Sequence, residues 1–206
     1  MKKVILTVAA IFAFGFANAQ DKKDASGFGF TSGDVFIEGS VSFDSTNDKN
    51  TETKTNDFEV NPKVGYFLND NFAVGAELSF GSGKTEVAGT ETAKTSSLGI
   101  GVFGRYYFLN LGERFKTYTE FGFGLTNEKD DIADVKTTGF GVGAGLGMNY
   151  FVTPKMAISF GLSDILTYNS TKTDVTGDEG ANELHLNVNV FNNFFATPTF
   201  GMLYKF

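Results

Sequence analysis

The chain has 206 residues, a formal net charge of -7, 25 glycines, 24 phenylalanines, one histidine and no cysteine. The lack of cysteine excludes a disulfide framework, thiol chemistry and a lipid-bearing cysteine, and the acidic balance leaves no basic footprint for nucleic acid. Only three prolines accompany the glycine and phenylalanine, so the composition is that of an ordered chain rather than a low-complexity one.

The first residues read as an export signal: Lys2 and Lys3, an apolar run over residues 4–16, then the small-residue pattern of Ala17, Asn18 and Ala19, with cleavage expected before Gln20. The apolar run is shorter than the roughly 20 residues a spanning helix needs. The expected organisation is a signal peptide over residues 1–19, a periplasmic lead-in over 20–32 and one domain over 33–206, since about 187 residues suit a single unit.

Beyond the lead-in the dominant signal is alternation of period two, which marks strands. Val35, Ile37, Val41 and Phe43 alternate with Glu38, Ser40, Ser42 and Asp44, and Phe58, Val60, Val64, Tyr66 and Leu68 with Glu59, Asn61, Lys63 and Gly65. The pattern continues through residues 72–81, 98–108 and 120–125. It is strictest over residues 139–150, where every even position is large or apolar and every odd one is glycine except Asn149. A helix would scatter those apolar groups around its circumference, and each interior glycine would cost it about 1 kcal/mol. Met156, Ile158, Phe160 and Leu162 alternate with Ala157, Ser159, Gly161 and Ser163, and the chain closes on Phe200, Met202, Tyr204 and Phe206.

Eight strands of about 9 to 13 residues result, close to what a tilted strand needs to cross a bilayer. Connections over 69–71, 110–116 and 152–155 are short, and those over 45–56, 82–97, 127–138 and 168–183 are long and polar. Strict alternation of short and long is the pattern of periplasmic turns and extracellular loops in transmembrane barrels. Leu184, Leu186, Val188 and Val190 also alternate, but a ninth crossing would put the C-terminus outside. With Asn192, Asn193 and Pro198 marking a break, residues 184–190 are expected to extend the eighth strand or belong to its loop. Pro62 lacks a ladder donor and predicts a bulge. Tyr66, Phe67, Phe72, Tyr106, Tyr107, Phe108, Phe115, Tyr150, Phe151, Tyr204 and Phe206 gather near the short turns, as a periplasmic aromatic girdle would.

A soluble ligand-binding barrel would show the same alternation with its apolar face inward. Here one face is glycine-rich with isolated charges of both signs, namely Glu38, Glu59, Lys63, Glu77, Arg105, Glu120 and Lys205. Eight strands enclose a space just wide enough for side chains, which suits that face, while the glycine-poor Phe, Leu, Val and Tyr rows suit lipid. The second strand running into Asn69-Asp70-Asn71 and Phe72-Ala73-Val74-Gly75, the glycine-rich sixth strand, Val152-Thr153-Pro154-Lys155 and the terminal Phe-Gly-Met-Leu-Tyr-Lys-Phe resemble the porin-like outer membrane protein β-barrel family. The resemblance implies an all-β, eight-stranded antiparallel transmembrane barrel in the outer membrane of a Gram-negative cell. It further implies contact with outer-membrane lipid, and an assembly signal in Phe200, Met202, Tyr204 and Phe206 read by the barrel assembly machinery.

Motifs of chemistry are weak. Gly81-Ser82-Gly83-Lys84-Thr85 looks like the tail of a phosphate loop, but Leu78 stands where its first glycine belongs and no helix follows; Gly139, Gly141 and Ala144 lie inside a strand rather than at a strand-to-helix turn. His185 has Glu183 and Asn187 as its same-face neighbours, not a nucleophilic serine. Asp130, Asp131 and Asp134, or Asp174, Asp178 and Glu179, have calcium-like chemistry but read as solvated loop acids. No catalytic, cofactor or metal site is expected. The lumen charges would be costly unless paired, so a salt-bridge network plugging the barrel is expected, with a structural or surface-interaction role carried by loops that meet an extracellular ligand. A narrow channel for small solutes is the alternative, and an outer-membrane lipid-modifying enzyme a weaker one.

Overall fold

The computed structural model describes residues 27–187 and 199–206. Ala17, Ala19, Gln20, Val188, Val190, Asn192, Asn193 and Pro198 lie outside them. Among the described residues nine strands follow in order: β1 (Val35–Asp48), β2 (Thr53–Asn69), β3 (Phe72–Val87), β4 (Thr90–Leu111), β5 (Phe115–Asp130), β6 (Val135–Phe151), β7 (Met156–Thr173), β8 (Ala181–Leu186) and β9 (Thr199–Lys205). Each of β1 to β7 pairs antiparallel with the next. β8 pairs with the far half of β7, from Leu166 to Thr171, and β9 with its near half, from Met156 to Gly161. The two short strands share one wall position, so the barrel has eight staves and closes where β9 meets Phe36 to Ser40 of β1.

The polar connections depart from irregular loops. β1 and β2 stay paired out to Asp48 and Thr53, β3 and β4 to Val87 and Thr90, and β5 and β6 to Asp130 and Val135. The chain therefore reverses in tight turns, helped by positive φ at Glu52, Ala88, Gly89 and Asp134. β4 alone has 22 residues, about 70 Å at roughly 3.3 Å per residue, far more than a bilayer crossing requires. These extensions carry Thr, Ser, Lys and Glu on both faces, so they lack the apolar row that marks a strand in sequence, yet hydrogen-bond in register all the same.

Pro62 makes no bulge. It sits opposite Gly39, and the ladder to β3 skips Asn61 and Pro62 and resumes at Lys63 and Glu77 without a change of register. The missing N–H is absorbed as a two-residue gap. Register shifts occur elsewhere, including two in succession between β6 and β7 at Ala144/Gly145 and Leu146/Gly147. These interrupt the alternation read through Leu162: Gly145 opposes Asp164 and Ala144 opposes Leu166, which turns Asp164 toward the lumen.

The apolar rows face outward. Ile100 is 59 % exposed and Phe121 likewise, whereas Arg105 on the opposite face of the same wall is 1 % exposed. Phe67, Tyr107 and Phe151, expected in the girdle, instead point inward and are buried with Phe36, Phe103 and Tyr118; Tyr66, Tyr106 and Phe108 do lie exposed on the outer face. The reason is parity: Phe67, Tyr107 and Phe151 fall on the glycine-bearing face of their strands, and for three further inward rings the space comes from a glycine directly across the ladder. Phe36 opposes Gly65, Phe103 opposes Gly75 and Tyr118 opposes Gly147, and a Cβ on any of those three glycines would run into its ring. Gly75→Ala, which would also meet the Val64 carbonyl, is expected to cost about 1–3 kcal/mol of overpacking. Gly122→Ala, whose Cβ would have only the Val102 carbonyl at 3.8 Å, should be near neutral; urea unfolding in lipid vesicles, followed by gel mobility, compares the two.

Candidate functional site

Mid-barrel, three carboxylates and two cations of alternating sign face one another. The register puts Glu38 of β1 beside Lys63 of β2, Lys63 beside Glu77 of β3, and Arg105 of β4 beside Glu120 of β5. Arg105 reaches across the lumen and grips Glu38 with two parallel bonds, Nη1 to Oε2 at 2.8 Å and Nη2 to Oε1 at 2.9 Å. Its Nε donates to Glu120 at 2.7 Å. Lys63 donates to the other Glu120 oxygen at 2.6 Å and lies 2.8 Å from Glu77. Such fork-shaped, charge-assisted pairing is the strongest arrangement available to a guanidinium. The Tyr118 ring lies beneath the guanidinium, 4.1 Å from its carbon to the ring centre, in cation–π contact.

A neutral chain closes the ring of bonds. Arg105 Nη1 donates to the Tyr107 hydroxyl at 3.3 Å, which donates to Asn149 Oδ1 at 2.6 Å. Asn149 Nδ2 donates to Ser159 Oγ at 2.8 Å, and that hydroxyl donates to Glu38 Oε2 at 3.1 Å. Seven of the eight staves thus contribute to one connected network. Asn149, the one non-glycine among the odd positions of residues 139–150, carried a readable signal; Tyr107 and Ser159 carried none beyond their parity.

Two of the charges grouped with this network in sequence belong elsewhere. Glu59 is exposed nearer the long hairpins and accepts a bond from Ser79 at 3.3 Å. Lys205 is buried at the short-turn end, where its ammonium donates to the Gly29 carbonyl at 2.7 Å and lies 3.7 Å from Asp34. The anchored carbonyl belongs to the lead-in, whose described residues 27–32 fold, together with Gly33 and Asp34, into the barrel mouth. Phe30 stacks on Phe67 at 4.2 Å between ring centres and meets Tyr107, Phe151 and Phe36. Phe28 lies under Arg114, Gly33 N–H donates to the Phe67 carbonyl, and Asp34 caps the bend by accepting from Thr31 N–H.

Above the charges, toward the long hairpins, the lumen opens into a cavity of about 530 Å³. The hairpin acids serve their own turns. Asp130 accepts from the backbone N–H groups of Ile132 and Ala133, which hold its carboxyl below the usual range. Asp178 does the same with Thr173 and Gly180. Asp131 and Asp134 lie against Lys129, and Glu86 and Glu91 hold the Lys84 ammonium above its ordinary range. Among the described residues no three His, Asp or Glu side chains converge as metal ligands would. His185 is exposed on β8, opposite Thr167. On β9, Phe200, Met202 and Tyr204 project outward, and Phe206 donates its N–H to the Val35 carbonyl beside the Tyr204 ring.

The family model for the outer membrane protein beta-barrel domain matches residues 6–194. The chain belongs to that family. Its membership and the closed barrel together make it an outer-membrane protein. OprG from Pseudomonas aeruginosa is similar in fold, with 18 % identity, a TM-score of 0.55, and coverage of 86 % of this chain and 98 % of that one. Neisserial surface protein A is also similar, with 18 % identity, a TM-score of 0.46, and coverage of 84 % and 96 %. No curated protein matches the sequence. Within this family member the network makes a direct test possible. Arg105→Ala takes from Glu38 its bidentate cation and leaves Glu120 with Lys63 alone, and is expected to cost about 3–5 kcal/mol, the range for breaking a buried ion pair from one side; an unchanged urea midpoint in vesicles would contradict the role assigned to Arg105.

Proposed function

We propose that the barrel is sealed and that its role is structural or surface-interactive, exercised through the long hairpins. The observation that carries this reading is the presence of two seals in series. The Arg105 network spans the mid-lumen, and Phe30 with Phe36, Phe67, Tyr107 and Phe151 fills the short-turn mouth beneath it. A hydrated ion entering from the hairpin side meets first a paired charge cluster and then a dry aromatic layer. The hairpins suit a surface role because they are rigidly paired, polar and reach well past the lipid belt. Their partner would be an extracellular ligand, and no catalytic step is assigned to the chain. Outer-membrane lipid faces the apolar rows, and the outward aromatic row of β9 would be what the assembly machinery meets.

The second reading, a narrow channel for small solutes, draws on the cavity above the cluster. Single-channel recording in a planar bilayer separates the two. The sealed barrel should be silent both as wild type and as Arg105→Ala, since the aromatic layer remains, and should pass current only when Phe30→Ser is combined with Arg105→Ala. Steady wild-type conductance that rises in Arg105→Ala would replace the sealed reading with the channel.

A further inference from the structure

Charge on the outer face of the hairpins follows a rule that sealing does not require. Read toward the hairpins, the outward row of each strand from β2 to β7 ends in an apolar or aromatic residue, then a short polar one, then lysine. Phe58, Asn56 and Lys54 follow one another in this way on β2, Phe80, Ser82 and Lys84 on β3, and Leu98, Ser96 and Lys94 on β4. The series continues with Leu125, Asn127 and Lys129 on β5, Phe140, Thr138 and Lys136 on β6, and Tyr168, Ser170 and Lys172 on β7. The ladder brings these lysines level around the wall. Lys84 lies directly opposite Lys94, Lys129 opposite Lys136, and Lys172 opposite Thr138. The acids Asp44, Asp57, Glu59 and Glu128 of the same hairpins take the alternate positions, on the lumen face.

Height and repulsion together point to what this belt meets. From Phe108 to Leu98 the outward row of β4 rises about 25 Å, at about 3.3 Å per residue and a tilt of roughly 40°, which is the height of a lipid-facing band. Lys94 then stands about 10 Å higher, and a lysine stem can lie back along apolar surface with its ammonium at the polar boundary. Like charges directly opposite in a ladder repel. Lys84 is offset by Glu86 and Glu91, and Lys129 by Asp131 and Asp134. Lys54, Lys94, Lys136 and Lys172 have no salt bridge among the described residues. Cations left over at a bilayer surface attract anions held in the membrane plane, and lysine binds phosphate as a point charge. At the short-turn edge the same rows carry Leu68, Phe72, Phe108 and Tyr150 instead, so the belt addresses one leaflet.

We infer that the lysine belt of β2 to β7 holds the phosphate groups of outer-leaflet lipid, with Lys94 and Lys136 as its principal contacts. The inference rests on the outer-membrane location and not on sealing, and its test leaves conductance out, so either can fail alone. Diphosphoryl lipid A, and the same lipid stripped of both phosphates, are titrated into the full-length barrel refolded in nonionic detergent. Bound lipid is measured by native mass spectrometry, and folding of each variant is confirmed by heat-modifiable gel mobility. The phosphorylated lipid is expected to bind and the stripped lipid not. Lys94→Gln with Lys136→Gln should weaken binding about twenty-five-fold, about fivefold for each lysine. Lys49→Gln, which removes the same charge from an exposed turn beyond the belt, should change it by less than about twofold. Absence of binding by the phosphorylated lipid overturns the inference, as does equal binding of the stripped lipid. So does a double variant that binds like the wild type, a loss in Lys49→Gln as large as in the double variant, or displacement of the lipid by millimolar inorganic phosphate, which would mark a site for free anions.

Discussion

A guanidinium buried in the centre of a lipid-encircled barrel must find its counter-charges within the wall, because neither lipid nor a lumen eight strands wide can supply enough water to solvate it. Arg105 finds them on β1 and β5 at once. Reaching Glu38 means spanning the lumen, so satisfying one side chain also ties opposite walls together. The remaining polar groups follow from it. Lys63 offsets the second oxygen of Glu120, and Tyr107, Asn149 and Ser159 complete the bonding of the guanidinium and of Glu38. A half-satisfied buried network is worse than an apolar filling, which is why the neutral members matter as much as the ions.

Width also governs the lower half. Rings enter so narrow a lumen where the opposite strand offers little or no side chain: Phe36, Phe103 and Tyr118 oppose Gly65, Gly75 and Gly147, and Phe67 and Phe151 oppose Ala73 and Ala157. The lead-in then adds Phe28 and Phe30 to a layer already aromatic, anchored through Lys205. Two different physical devices, paired charge and aromatic packing, thus fill the lumen at different depths.

The upper half follows another logic. There a Cβ on Gly122 or Gly124 would meet nothing closer than a carbonyl at 3.8 or 3.5 Å, while Gly139 and Gly141 face the polar side chains of Thr126 and Asn169, and the wall bends at two bulges to bring in a carboxylate. The contrast between ring-opposed and open glycines separates the aromatic-packed part of the lumen from the cavity above it. It is invisible in any list of residues, since all are glycines on the same face of alternating strands.

Much was legible before any coordinates. Period-two alternation specified strands and the number of staves, the glycine-and-charge face specified the lumen, and the alternation of connection lengths separated the short-turn end of the barrel from the long-hairpin end. Those are local or composition-level properties, dictated by the pleat of a strand and the thickness of a bilayer. Glu38, Lys63, Glu77, Arg105 and Glu120 were identifiable as inward charges by parity alone. Which of them meet was not, because a contact across the lumen depends on barrel stagger rather than on sequence spacing; hence Glu59 and Lys205 fell away, and Tyr107, Asn149 and Ser159 came in. The inward turn of Asp164 depends on two bulges with no sequence mark. The strand character of the polar hairpins was hidden because neither face is apolar, and the seat of Phe30 was hidden because a lead-in has no periodicity to read. The sequence by itself determined an outer-membrane barrel and the lipid-facing rows of its regular crossings, since these follow from the local pleat; only the tertiary structure decided which charges pair, which rings turn inward and where the lumen widens into a cavity, since these depend on bulges and on distances across a closed wall.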